Sequence, residues 1–279
     1  MNIAFHMPVK FLSGQYAVKN NREEFAKYGK NCLIVTGASA AKKSGAFYDV
    51  TEVLDSLGIS WTLFDKVGQN PLVSVCHSGG KAAAEAKADF IVGIGGGSPL
   101  DAAKAVAVFA ANPTLPPEGI FGAWEHPALP ILLVGTTSGT GSEVTRYSVL
   151  TEDATGKKHS WGNDLSYARV AFGDPNYTMS LPMNFTVSTA LDAVSHSLES
   201  YFSKAADDIS DMYALSALHI LLPTLKDIWA QGGMPTLEQR EALYNASIYA
   251  GFAINSSGTL FCHTMGYYLS EEVGIPHGY

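Results

Sequence analysis

The stretch Phe90-Ile91-Val92-Gly93-Ile94-Gly95-Gly96-Gly97-Ser98-Pro99-Leu100-Asp101-Ala102-Ala103-Lys104 decides the fold class. Its first six residues are an apolar run ending in glycine, which reads as a buried parallel strand, and the Ala-rich residues after Pro99 read as a helix. Between them Gly95, Gly96 and Gly97 let the backbone turn tightly and approach a ligand with no Cβ in the way. Ser98 is placed to cap the helix and Pro99 to take its first position, so the free N–H groups of the turn make an anion site suited to a pyrophosphate. The run is not the dinucleotide fingerprint GxGxxG, because its sixth position is Ser98, and it lacks the lysine of a P-loop. A plain strand-to-helix corner is the competing reading.

Working outward, Cys32-Leu33-Ile34-Val35-Thr36-Gly37 is a second such strand. Residues 46–57 carry Val50, Val53, Leu54 and Leu57 on one helical face and are stopped by Gly58; 59–64 read as a strand, 80–87 as a helix and 129–135 as a further strand. This alternation predicts an α/β domain with a parallel sheet. Residues 3–18, broken by Pro8 and Gly14, suggest a short hairpin or two edge strands. The strand at 129–135 leads into Gly135-Thr136-Thr137-Ser138-Gly139-Thr140-Gly141-Ser142-Glu143-Val144-Thr145, rich in hydroxyls and glycine. Two such loops at the carboxyl ends of parallel strands point to a nucleotide, although the second alone could be a surface turn.

Past Pro182 the texture changes, with helical patterning over 185–229 and 237–253. A boundary between Asp174-Pro175 and Leu181-Pro182 divides the chain into an α/β domain, 1–180, and a helical domain, 181–279. In the latter, Leu191, Val194 and Leu198 recur at helical spacing, and Asp192 and His196, four apart, share a face on which both can reach one divalent cation. A solvated Asp/His ion pair is the alternative. His263 stands in an apolar helical stretch and His277 in a turn; with Asp192 and His196 they would make one carboxylate and three imidazoles, a set suited to a first-row divalent ion. His6, His77, His126, His159 and His219 lie in polar or turn contexts.

Composition bounds the rest. A net charge of -8 with no basic stripe argues against nucleic acid. No apolar run approaches the roughly 20 residues of a membrane span, and no signal peptide is visible. Cys32, Cys76 and Cys262 lack CxxC spacing and read as reduced thiols, so a cytoplasmic protein is expected.

Gly95-Gly96-Gly97-Ser98 with Asp101 and Lys104, the loop at 136–145, Asp192-x-x-x-His196, His263, and Pro276-His277-Gly278 resemble, in order and separation, the motifs of the iron-containing (group III) alcohol dehydrogenase family. The resemblance runs from about Met7 to the last residue. It implies a dinucleotide-binding α/β domain followed by an all-α metal-binding domain, a dehydroquinate synthase-like arrangement. It implies Asp192, His196, His263 and His277 as holders of Fe(II), alternatively Zn. Asn70, Gly97, Ser98, Asp101, Thr136, Thr137, Thr145, Tyr147 and Lys158 match family positions near the cofactor, with Lys157 the alternative match to Lys158.

Three departures stand out. The family continues with further helices where this sequence stops at Tyr279, so the helical domain is expected to be incomplete. Many members place a second histidine near the nicotinamide where this chain has Tyr267, a candidate proton relay or a packing aromatic. NAD-dependent members commonly carry Asp where this chain has Gly37, and Ser39, Lys42 and Lys43 follow, so NADP(H) is expected in preference to NAD(H).

The implied function is hydride transfer between nicotinamide C4 and a small primary alcohol or its aldehyde, with aldehyde reduction expected at neutral pH. A related metal-dependent polyol dehydrogenase and an inactive nucleotide-binding fragment are the alternatives. The partners expected are the small substrate and further copies of the chain in a homodimer or higher homo-oligomer, with no nucleic acid and no membrane.

Overall fold

The computed structural model describes Ile3, residues 5–273, Ile275, His277 and Gly278. The chain forms two compact units: Pro8–Thr136 with Arg146–Tyr177, and Met1–Met7 with Thr137–Thr145 and Thr178–Tyr279.

The first unit runs β1 (Lys10–Ser13), α1 (Ala17–Asn20), β2 (Asn31–Gly37), α2 (Ala40–Lys43), α3 (Ala46–Ser56), β3 (Ser60–Val67), α4 (Val73–Glu85), β4 (Phe90–Gly95), α5 (Gly97–Ala111), β5 (Ile131–Gly135), β6 (Ser148–Thr151), β7 (Lys158–Trp161) and β8 (Val170–Gly173). Six strands pair in the order β1-β8-β5-β4-β2-β3, all in parallel. β4 and β5 are buried along their whole length, as continuous apolar strands in a two-sided parallel sheet must be. Cys32 and Ile34 of β2, Val92 and Ile94 of β4, Val134 of β5 and Phe172 of β8 join Ala46, Val50 and Leu54 of α3 in one core, where Phe25 stacks on Phe172 at 5.0 Å.

The structure differs from the sequence expectations at three places. The N-terminal segment is a single strand paired in parallel with β8, not a hairpin. α4 begins at Val73 rather than near residue 80, because Gly79 and Gly80 are contact points and not stops: a Cβ on Gly79 would lie 2.6 Å from Val106 Cγ2, and one on Gly80 2.3 Å from Phe109 Cβ. The antiparallel β6–β7 hairpin, which the apolar pattern did not signal, is pinned to α5. Asp101 Oδ2 accepts the Val149 N–H at 2.9 Å, and the fully buried Lys104 donates to the Tyr147 carbonyl at 2.6 Å.

The second unit contains α6 (Met183–Tyr201), α7 (Asp208–Gln231), α8 (Leu237–Ser257) and α9 (Phe261–Tyr268), followed by one π-helical turn at Leu269–Val273. The helical pattern at 185–229 is broken because Asp207 caps α7, accepting the N–H groups of Ile209 and Ser210 at 3.0 and 2.9 Å. Thr236 and Gln239 form the equivalent box at the start of α8. The core between α6, α7 and α8 uses Ala190, Ala193, Ala217, Ala246 and Ala250 around Leu221 and Leu243, small residues that let helix backbones approach closely. The loop Thr137–Thr145 is part of this unit: Tyr244 Oη donates to Glu143 Oε1 at 3.0 Å, and a Cβ on Gly141 would lie 2.6 Å from the Gly251 α-carbon. Among the described residues no helix is long and apolar enough to cross a membrane.

Candidate functional site

Leu191 and Leu198 of α6 do not mark its buried face. Leu191 and Leu198 are 47% and 43% exposed, whereas Asp192 and His196 are 6% and 5% exposed, which removes the reading of a solvated ion pair. α9 brings His263 to the same point. One donor atom each from Asp192, His196 and His263 lie within 4.8 Å of one another. Asp192 Oδ1 is 3.8 Å from His196 Nε2, 3.4 Å from His263 Nε2 and 3.4 Å from His277 Nε2. The His196 and His263 rings stack at 4.5 Å, and His277 meets His263 edge-on at 5.3 Å. His277 reaches the group through its neighbour Gly278, which has φ +85° and sits where a Cβ would lie 2.5 Å from the Ser188 carbonyl oxygen. Pro276 lies outside the described residues. Tyr267, the candidate relay, has its ring 5.9 Å from that of His277.

The electrostatics suit a cation. Burial pushes the Asp192 carboxyl up, but His196, His263 and His277 outweigh it and hold the group well below the usual carboxylate range. Burial pushes His196 down to about 4, leaving a neutral imidazole, the form that binds metal. Burial also lowers His263, but Asp192 and Glu199 together raise it above its ordinary value. His196 Nδ1 and His263 Nε2 are buried without a hydrogen-bond partner. Buried polar atoms are ordinarily satisfied, so the unpartnered His263 Nε2, 3.4 Å from Asp192 Oδ1, is a metal-donor arrangement; on His196 the nitrogen beside the carboxylate is Nε2. The four residues therefore fit a divalent ion.

Glu199 is the residue that sequence reasoning missed. It is 4% exposed, and its Oε1 accepts from His263 Nδ1 at 2.6 Å and from Ser195 Oγ at 3.0 Å. Its position one turn after His196 was the available signal.

In the α/β unit the glycine-rich turn departs from its expected detail. Gly96 is the cap residue and α5 starts at Gly97, with no side-chain cap. Ser98 lies inside the first turn, where its Oγ accepts the Asn70 N–H at 3.3 Å. Pro99 costs nothing there, since N–H groups of a first turn have no partner within the helix. Gly95 takes φ +151°, and a Cβ on it would lie 2.7 Å from Pro99 Cγ. β2 and β4 are adjacent, and the chain leaves them toward opposite edges of the sheet, β2 toward β3 and β4 toward β5. Gly37 and Gly95 thus end the two strands flanking the topological switch point, the place where such sheets bind nucleotides.

The other cofactor candidates are more dispersed. Asn70 stands at φ 52°, and the Thr136 N–H donates to the Gly95 carbonyl at 2.9 Å. Thr137 and Thr145 belong to the helical unit. The Arg146 guanidinium lies 5.4 Å from the Tyr147 ring centroid, Lys158 opens β7, and Asp101 is engaged with Val149. Ser39 precedes α2 without capping it.

Comparison with known proteins agrees with both halves of this geometry. A family model described as iron-containing alcohol dehydrogenase matches residues 8–175, and one described as the C-terminal part of the Fe-containing alcohol dehydrogenase family matches residues 186–279. The chain belongs to the iron-containing alcohol dehydrogenase family. Within it, the chain is 33% identical over 261 residues to the bifunctional aldehyde-alcohol dehydrogenase of Escherichia coli (strain K12), with 89% of the chain aligned but only 29% of that longer protein spanned. The crystal structure of the iron-containing alcohol dehydrogenase from Thermotoga maritima superposes with a TM-score of 0.91 at 36% identity, covering 99% of the chain and 75% of that structure. Sulfoacetaldehyde reductase from Bifidobacterium kashiwanohense, solved in complex with NAD+, superposes at 0.89 with 29% identity, covering 100% of the chain and 73% of that structure.

Proposed function

We propose that this chain is a metal-dependent alcohol dehydrogenase and aldehyde reductase acting on a small primary alcohol or its aldehyde, with Fe(II) as the resident ion and Zn as the alternative. The observation that carries the proposal is the buried group of Asp192, His196 and His263 with His277 beside it, in which the unpartnered His263 Nε2 faces the Asp192 carboxylate. Bound there, a divalent ion supplies Lewis acidity toward an alcohol or aldehyde oxygen, while a nicotinamide cofactor supplies the hydride chemistry.

The chain's own residues do the rest. Asp192 brings the negative charge that holds a cation, and the neutral His196 brings a lone pair with no proton to displace. The first turn of α5 presents free N–H groups at the switch point, an anion site for a pyrophosphate. Tyr267, close to His277, is the candidate to pass a proton through water to or from the substrate oxygen.

NADP(H) is the preferred cofactor in this proposal, with NAD(H) accepted. Gly37 carries no acid to repel a 2′-phosphate, and Ser39, Lys42 and Lys43 follow within six residues. Lys42 is already 3.6 Å from Asp65 of β3, so Lys43 and Ser39 are the stronger phosphate contacts. Three free thiols suit a reducing cytoplasm.

The test is metal analysis of the purified chain together with aldehyde-dependent loss of NADPH and NADH. Bound metal with aldehyde-dependent turnover supports the proposal. Nucleotide binding without metal and without turnover would instead make the chain a nucleotide-binding fragment.

A further inference from the structure

We propose that Glu199 is the positioning residue of the metal centre: it holds the His263 imidazole with its proton on Nδ1, so that Nε2 is presented as a bare donor. The inference rests on the metal-site reading above. Asp192, His196 and Glu199 occupy positions i, i+4 and i+7 of α6, so one helical face carries two donors and the carboxylate that holds a third. Glu199 Oε1 accepts from His263 Nδ1 at 2.6 Å, and Oε2 accepts the backbone N–H of Leu260, the residue just before α9. A single carboxylate therefore fastens both the ring and the start of the helix that bears it.

Two further observations point the same way. His263 Nε2 is buried, has no hydrogen-bond partner and lies 3.4 Å from Asp192 Oδ1. That is the geometry left when the ring proton is committed to the other nitrogen, and a carboxylate on that proton makes the free nitrogen a stronger donor. The second concerns charge. Among the described residues, the ion pairs of Asp192 and Glu199 are all with histidines. Once the imidazoles give up any extra proton to act as donors, the two buried carboxylates leave an excess of two negative charges, which one divalent cation cancels.

Three donors, the Ser195 hydroxyl, the Leu260 N–H and the His263 Nδ1–H, converge on the two Glu199 oxygens. A glutamine has only one oxygen to offer. If that oxygen keeps Leu260, its NH2 faces His263 Nδ1, which must become the acceptor and move the ring proton to Nε2. A residue that merely tethered α9 would leave the choice of tautomer unaffected.

The test is titration of the full chain with Co(II), followed by its visible absorption, in wild type, Glu199→Gln and Glu199→Asp. A second readout is 15N NMR of the His263 ring in the Zn(II)-loaded wild type. The expected results are a Co(II) affinity roughly 10- to 100-fold weaker in Glu199→Gln with an altered spectrum and unchanged helix content, substantial recovery in Glu199→Asp, and a ring proton on Nδ1. Wild-type affinity and spectrum in Glu199→Gln would overturn the inference while leaving the metal reading standing. A ring proton on Nε2 in the wild type would overturn it too, even if Glu199→Gln failed to fold. No Co(II) binding by the wild type would overturn the metal reading and this inference together.

Discussion

Gly278 lies against the carbonyl oxygen of Ser188, where a Cβ would stand 2.5 Å from that oxygen at φ +85°. Ser188 is one turn before Asp192 on α6, so this bare contact lets the turn carry His277 to 3.4 Å from the Asp192 carboxylate. Gly278→Ala adds both a steric clash and left-handed strain, of order 1–3 kcal/mol. Displacement of His277 should then weaken Co(II) binding about tenfold or more in an equilibrium titration, with the helix content intact. Unchanged affinity would show that His277 does not hold the metal.

Arg240 is a structural counterpart. It is fully buried, and its guanidinium donates to the carbonyls of Thr178 and Leu181 and, at 3.2 Å, to Thr186 Oγ1. Arg240→Met removes three buried hydrogen bonds from a charged donor at once, leaving the Thr178 carbonyl with the Leu181 N–H, and should lower stability by about 3 kcal/mol. A shift in the urea midpoint of the helical unit measures this, and a loss under about 1 kcal/mol would mean that water replaces the guanidinium.

Metal affinity should depend on pH through His263. Its folded pKa is raised, so protonated His263 stabilises the metal-free protein below its ordinary pKa, and that stability is lost as pH rises through the folded value. A metal must displace this proton, so affinity rises with pH up to the folded value and levels off above it. His196, held at about 4, adds no dependence near neutrality. At pH values below the raised folded pKa of His263, the logarithm of the Co(II) binding constant should climb by about one per pH unit. A flat profile would remove His263 from the donor set.

Gly37→Asp probes cofactor choice. An acid at the end of β2 should repel a 2′-phosphate and accept ribose hydroxyls, lowering the NADPH to NADH ratio of kcat/KM by roughly tenfold to a hundredfold. The substitution fits with a small adjustment, since a Cβ at residue 37 would lie 3.2 Å from the Val67 carbonyl. A wild-type preference for NADH, with a ratio unmoved in Gly37→Asp, would show that this loop does not contact the ribose.

The strands at the centre of the sheet were legible because β2, β4 and β5 are buried on both faces and must be apolar throughout. β1, β6 and β7 are four-residue strands with mixed burial, and their composition carries little period. β8 is fully buried, but its four residues are too short a run to stand out. Periodicity read α6 only in part: of the stripe Leu191, Val194 and Leu198, Val194 packs against the helical core while the two leucines are exposed, and Asp192, His196 and Glu199 are buried. A buried polar face defies hydropathy and becomes legible only when His263 and His277, far along the chain, are seen against it. Asp65 illustrates the same limit: it lies on β3 and meets Lys42 of α2, beyond the reach of a local scan for acids.

Whether one metal ion is held by Asp192, His196, His263 and His277 is read from X-ray absorption spectroscopy of the Zn(II)-loaded chain. The expected result is nitrogen and oxygen ligands at about 2.0–2.2 Å, with outer-shell scattering from three imidazoles, and loss of bound zinc in His196→Ala. A sulfur ligand at about 2.3 Å, or a zinc spectrum unchanged in His196→Ala, would contradict it.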